Sequence, residues 1–274
     1  TYAAVLASIP HQYSMSGLFA SGPAFWYWTS MFVATFFAIL MYRVFLPVLV
    51  SVEHRLVVSR IVRETEDVVT IEVKGRNLAA LDTLAGQFFH WRFLAPGLWW
   101  HQHPFSVSAA PAGDTLRITV RALGAGTRRL VDRLAVGTRV AVEGPYGLFS
   151  DAARTAPDVV MVGIGIGIAP VRALLEETRF APGHGTVILR ASDTEHVFLA
   201  PEIVELCRAR GARLAILTGH RGTFGDGSPS WLPESHVGLR LANFASLAEA
   251  DVYVCGPQGA ADLVVADAVA AGGP

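Results

Sequence analysis

The sequence predicts a chain in three parts: membrane helices, then a small antiparallel β-barrel, then an α/β region built on a parallel sheet. Three observations lead there. Apart from His11, nothing between Thr1 and Tyr42 is ionisable near neutral pH except tyrosine. From Glu53 the texture changes to short β-branched runs punctuated by Gly and Pro, the signature of antiparallel strands. From Asp158 it changes again, to strand, glycine turn and helix in alternation, the pattern of a parallel sheet covered by helices.

Composition agrees and removes some classes of function. A hydrophobic fraction of 52% over 274 residues and a mean hydropathy of +0.41 are high for a protein surrounded by water. The net charge of −1 comes with no run of Lys and Arg that could track a polyanion, so nucleic-acid binding is excluded. Two distant cysteines, Cys207 and Cys255, fit neither a disulfide framework nor a thiolate cluster for zinc or iron–sulfur.

Residues 1–50 read as the end of a transmembrane domain. Thr1 to Pro10 is too short to span and reads as the outgoing end of a longer helix, whereas Pro23 to Val50 is long enough to cross. A Gly, Ser and Pro-rich turn, Ser14 to Pro23, divides them. Phe25, Trp26, Tyr27 and Trp28 suit an interfacial aromatic belt, and Arg43, Arg55, Arg60 and Arg63 put everything after about Ser51 on the cytoplasmic side. His11 stands in an apolar stretch, where an ionisable side chain is costly and tends to mark a cofactor or ion path.

Residues 51–150 form the expected barrel, with strands at Arg55 to Val62, Val68 to Val73, Leu116 to Val120 and Arg139 to Val142. Asp151 to Pro157 reads as a linker. Residues 158–274 form the expected α/β region, with a helix near Pro201 to Arg210 and a surface loop from Arg221 to His236.

Five local features carry chemistry. The turn Gly163-Ile164-Gly165-Ile166-Gly167-Ile168-Ala169-Pro170 lies between a strand and a helix. Glycines allow close backbone approach to a phosphate, and a helix N-terminus presents free N–H groups to it. No acidic residue is read after the second strand to hold a ribose 2′-hydroxyl; Arg190, Ser192 and Arg221 suit a 2′-phosphate, so NADPH is preferred to NADH. In the barrel, His103-Pro104-Phe105-Ser106-Val107-Ser108 sets a small hydroxyl beside an aromatic ring, which suits the polar edge of a flavin. Arg121, Gly126 and Thr127 lie in a glycine loop that can hold a pyrophosphate. Gly144-Pro145-Tyr146-Gly147 reads as a tight turn ending the barrel. Cys255-Gly256-Pro257 follows the last apolar strand, at the edge where parallel sheets bind ligands.

In this order and spacing, GQFF, HPFSVSAAP, GPYG, GIGIGIAP and VCGP resemble the ferredoxin–NADP reductase superfamily, and within it the ferric reductase and NADPH oxidase branch. The resemblance implies FAD against His103, Pro104, Phe105, Ser106, Val107 and Ser108, with Ser106 bonding the ring edge and Arg121, Gly126 and Thr127 facing the pyrophosphate. It implies NADPH on Gly163, Gly165, Gly167 and Pro170, with its 2′-phosphate on Arg190, Ser192 and Arg221. Cys255, with Gly256 and Pro257, would align nicotinamide and flavin. His11 would be an axial ligand of haem b, its partner histidines lying outside this chain. The resemblance also implies a last strand after the CGP helix, which this chain does not carry, and places the chain as a C-terminal part cut at both ends.

The expected function is therefore a membrane-bound oxidoreductase passing electrons from NADPH through FAD to haem, to reduce ferric iron or oxygen on the far side. Its implied partners are membrane lipid and that acceptor, and homo-oligomerisation stays open. The alternatives are a membrane-tethered flavin reductase serving a protein acceptor, and a non-enzymatic fragment.

Overall fold

The structure is a computed structural model of the chain, and it describes residues 22–272. His11 and the run from Thr1 to Pro10 lie outside the described residues. The chain forms two compact units, residues 1–50 and 51–274.

In the first unit, α1 (Gly22–Leu40) continues through a π turn, Met41–Phe45, into α2 (Leu46–His54), whose last residues belong to the second unit. None of the α1 side chains is buried. Gly22–His54 is a 33-residue helix containing an 18-residue stretch of mean hydropathy 2.1, long and apolar enough to cross a membrane. It is the only such helix among the described residues.

The second unit begins with two three-stranded antiparallel sheets. One is built from β1 (Val57–Arg63), β2 (Val68–Lys74) and β5 (Thr115–Arg121), in the order β1-β2-β5. The other is β4-β3-β6, from β3 (Phe88–Phe93), β4 (His103–Ser106) and β6 (Val140–Tyr146). Single bridges join them, Val57 to Arg139 and Val107 to Ile118. In β3 every second residue turns inward, burying Phe89, Trp91 and Phe93, as a half-buried strand requires. Thr70 and Thr119 face each other across β2 and β5 and share a buried 3.0 Å hydroxyl hydrogen bond. A short helix, α3 (Ala125–Arg133), follows β5.

The other half is a parallel sheet in the order β12-β7-β8-β9, made of β7 (Asp158–Ile164), β8 (Gly185–Ala191), β9 (Arg213–Thr218) and β12 (Ala250–Cys255). Its helices are α4 (Ile168–Glu177), α5 (Ala200–Arg210) and α6 (Gln258–Ala270). Each face carries its own core. Met161, Leu174, Leu189 and Ile203 pack with α4 and α5; Val162, Ile188, Leu232 and Val264 pack on the α6 side.

Two stretches fold otherwise than the sequence predicts. The stretch Arg221 to His236 is no surface loop: β10 (Arg221–Thr223) and β11 (Pro229–Pro233) pair as a hairpin. The reason is Trp231 and Leu232, which are buried in the second core, while Trp231 Nε1 donates to the buried Asp267 at 2.9 Å. Nor is Gly144-Pro145-Tyr146 a turn. It is the end of β6, with a cis Gly144–Pro145 bond and a register shift against Phe88 and His90.

The two halves of the second unit meet at a charged seam. Glu202 of α5 takes Arg117 Nη2 at 2.9 Å and Arg172 Nε at 2.8 Å. Arg172 also pairs with Glu176, whose carboxylate accepts the Ala110 N–H at 2.6 Å. Glu177 accepts the Ala85 N–H at 3.1 Å. The link Asp151 to Pro157 is pinned as well, because Asp251 accepts the N–H groups of Thr155 and Ala156 at 2.6 and 2.8 Å.

Candidate nucleotide and flavin site

In the parallel sheet β7 has β8 on one side and β12 on the other, so the chain reverses its direction of winding between β7 and β12. Ligands in such sheets bind at that point, beyond the carboxyl ends of the strands. A cleft of ≈ 430 Å³ opens there, lined among others by Arg121, Gly165, Arg190, Ser192, Arg221 and Pro257.

The three glycines of the turn do different work. A Cβ on Gly167 would overlap the Cys255 carbonyl, and one on Gly163 would come within 2.9 Å of Ile168 Cα. Both are glycine because backbone packs against backbone. Gly165 has φ +58 and open space around its missing Cβ, and it alone of the three lines the cleft. Pro170 is buried in the first turn of α4, where its missing N–H leaves no hydrogen bond unmade, so its side chain does not face the cleft.

Arg190 occupies its expected place in an unexpected role. It is 6% exposed, and its guanidinium donates to the carbonyls of Trp231 at 3.2 Å, Gly219 at 2.9 Å and Ala191. Burial, and then the charge of Arg221, lowers its pKa. It is a strut tying β8 to β11 and the turn after β9. Arg190→Met is expected to cost about 2 kcal/mol, because buried carbonyls lose a charged donor. A urea melt reads that cost directly.

Arg221 and Ser192 are exposed at the rim, and Arg221 makes one 3.3 Å bond to the Gly259 carbonyl. The expectation that no acidic residue follows the second strand is wrong. Asp193 stands two residues past β8, paired with His196 at 2.6 Å, and hydrogen bonding from His196 is the main cause that lowers its pKa. The residue was legible in the sequence as the last letter of RASD.

Cys255 ends β12 beside Gly163 of β7, and burial pushes its thiol up to about 11. It is therefore a neutral thiol at neutral pH. Gly256 packs on Ile164, where a Cβ would come within 2.6 Å of that residue's Cβ.

In the other half, His103 stacks on Phe105 with ring centroids 5.4 Å apart and planes 10° apart. Burial, with a smaller contribution from His101, lowers the His103 pKa. Phe105 is fixed through its carbonyl, which accepts Trp91 Nε1 at 2.9 Å. Pro104 is exposed and Ser106 half-buried, so both can meet a ligand. Val107 and Ser108 cannot do so through their side chains, because both are 0% exposed where the strand turns inward to bridge β5. Ser108 Oγ has no hydrogen-bond partner among the described residues.

Gly126 lies against His103, since a Cβ there would come within 3.2 Å of the ring. Thr127 caps its own helix, exchanging 3.1 Å bonds with the Gly124 N–H and carbonyl. Its hydroxyl is committed, and the anion-binding capacity belongs to the α3 N–H groups. Arg121 ends β5 in a 2.7 Å ion pair with Asp67 and reaches the nucleotide cleft. No group of three or more metal-ligating side chains exists among the described residues.

Residues 54–150 match the family model of an FAD-binding domain. The chain is 33% identical over 195 residues to the ferredoxin–NAD(+) reductase component of the alkene monooxygenase system of Xanthobacter autotrophicus, covering 68% of this chain and 57% of that protein. It is 23% identical over 135 residues to NADPH oxidase 1 of Mus musculus, covering 45% of this chain and 21% of that protein. The chain thus spans 57% or less of these curated relatives. Among solved structures it is similar to the flavohem-like FAD/NAD binding domain of nitric oxide dioxygenase from Vibrio cholerae. That likeness has a TM-score of 0.64 at 22% identity, covers 81% of this chain and 95% of that one, and is one of fold.

Proposed function

We propose, from the premise that this chain is an FAD-binding oxidoreductase of the ferredoxin–NADP reductase-like superfamily, that it takes hydride from NADPH onto FAD and passes electrons to haem in a membrane. The observation that carries the first half is convergence. Arg121 from the flavin half and Gly165, Arg221 and Pro257 from the nucleotide half line one cleft, at the sheet edge where such ligands bind.

The described residues fit both cofactors. The free N–H groups of α3 and the half-buried face at Phe105 and Ser106 would hold FAD on the two bridged three-stranded sheets, and the Gly165 turn would hold the nucleotide pyrophosphate. Bound FAD supplies the acceptor for a hydride and releases its electrons singly. The protein's part is orientation. Arg221 and Ser192 would bind a 2′-phosphate, Cys255 would fill the space behind the nicotinamide as a neutral thiol, and no side chain needs to move a proton.

Cys255→Ser is expected to slow flavin reduction by about tenfold through lost positioning. The wild-type rate should show no step from this thiol between about pH 7 and pH 9, because a raised thiol pKa keeps it protonated there. Stopped-flow reduction across that range tests both.

The membrane half of the proposal rests on the helix Gly22–His54. At 1.5 Å per residue its 33 residues reach ~50 Å, more than the ~30 Å of bilayer hydrocarbon. The two nucleotide-binding halves would be cytoplasmic, and His11 is the chain's candidate haem ligand, with ferric iron or oxygen as the far-side acceptor. Anaerobic mixing of the full-length protein with NADPH tests this: flavin and haem absorption should change in sequence, and an unreduced haem beside a bleached flavin would sink it. A second reading, a membrane-tethered reductase serving a protein acceptor, is favoured by the alkene monooxygenase relative and by Asp193, which suits NADH. Faster reduction by NADH than by NADPH would support it.

A further inference from the structure

We propose that the turn between β3 and β4 is a second point of contact with the bilayer, seating Trp99 and Trp100 among anionic lipid headgroups. The inference rests on reading Gly22–His54 as a membrane helix and adds a site on the flavin half itself.

Folding leaves these two indoles in water. Trp99 is 42% exposed and Trp100 70%, and they stack on each other, centroids 3.6 Å apart, rather than on the core. Trp91 and Trp231, by contrast, are buried. Leu94, at the start of the turn, is exposed as well. The segment is held in shape. Leu98 and Trp99 donate N–H to the Ala95 carbonyl at 3.0 and 3.2 Å, His101 donates to Leu98 at 3.0 Å, and the buried Leu98 anchors it. A rigid turn that holds two indoles outward is what an interfacial anchor needs, because indole combines an apolar body with a polar N–H.

The charge around the pair is positive. Arg92 Nη1 donates to the Trp99 carbonyl at 3.3 Å. Arg133 Nη1 lies 3.3 Å from where a Gly97 Cβ would stand. Leu94 N–H donates at 2.8 Å to the carbonyl of the exposed Arg139. Arg128 and Arg129 stand with Arg133 on α3, whose one acid is Asp132, and Glu143 is held by Gln102 Nε2 at 3.1 Å where the turn ends. Basic residues near a membrane surface are drawn to anionic lipid.

The position within the second unit also suits a bilayer. Val57 bridges Arg139, and Val140 N–H donates to the Leu56 carbonyl at 2.9 Å. The base of the tryptophan turn is thus one strand away from the first residues after the helix end at His54.

The test uses the whole chain in nanodiscs of phosphatidylcholine and phosphatidylglycerol whose acyl chains are brominated near the headgroup. Trp26→Phe with Trp28→Phe removes the helix indoles, leaving the exposed pair and two buried ones. Brominated lipid should quench the emission of this variant, and Trp99→Ser with Trp100→Ser should abolish the quenching. Quenching should also fall when phosphatidylglycerol is omitted, and equal quenching without it would overturn the assignment to anionic lipid. Emission untouched by brominated lipid, whether the pair is open to iodide or shielded by protein, overturns the proposal while leaving the helix reading intact, provided Trp26 and Trp28 are quenched in the unmodified chain. A chain that does not enter nanodiscs overturns both.

Discussion

Gly167→Ala is expected to destabilise the second unit by about 3 kcal/mol or more, since the added methyl must displace backbone rather than a flexible side chain. The Cβ of an alanine would fall on the Cys255 carbonyl, so β12 and the turn after β7 cannot both keep their places. The loss should appear in a urea melt of the protein without nucleotide. Gly165→Ala is the matched contrast. That residue has φ +58 with nothing near its missing Cβ, and the strain of that conformation costs only about 1 kcal/mol. Its methyl projects into space that a pyrophosphate would use, so nucleotide affinity should fall by about tenfold or more while the melt barely moves. Equal melts for the two variants would show that both glycines serve the same purpose, against the geometry.

The second large effect is expected at the seam between the halves. Glu202→Gln leaves Arg117 and the nearly buried Arg172 without their shared anion. Breaking a fully buried pair costs about 3–5 kcal/mol, and the partial exposure of Glu202 brings the expectation down to about 2 kcal/mol. The kinetic signature matters more. Reduction of FAD by NADPH should slow while the affinity for each cofactor, measured separately, holds, because only their mutual placement is lost. Acid should reproduce the defect. Burial alone would raise the Glu202 pKa, but hydrogen bonding and charge from Arg117, with those of Arg172, hold it below the usual carboxylate value. A lowered acid pKa contributes stability above the unfolded value, which is lost as pH falls through the folded one, so the seam should loosen only below about pH 4. Unfolding followed against pH, wild type beside Glu202→Gln, measures the difference.

Much of this architecture was legible because it repeats at short range. The apolar run to Val50, the β-branched strands and the turn from Gly163 are periodic or contiguous, and each stands where the residues predict. The hairpin at Arg221 to Pro233 was not legible, since its Gly, Ser and Pro content reads as loop and only burial of Trp231 and Leu232 against α6 makes it structure. The site divides the same way. Motif spacing pointed to Gly165 and Pro257 for the nucleotide, and both line the cleft; Arg121, expected at the flavin pyrophosphate, lines it as well. Spacing could not separate a glycine that faces ligand from one pressed on backbone, nor foresee that Arg190 and Thr127 would spend their donors on the chain itself. Glu202 left no local trace, because its partners lie in other elements.

The clamp of Asp251 on Thr155 and Ala156 sets a schedule. These contacts join residues 95 and 96 positions apart, with nearly the whole nucleotide half between them. On a ribosome the flavin half emerges and can fold long before Asp251 is made. The hinge between the halves must therefore wait, open to proteases and chaperones, until the last strand closes it.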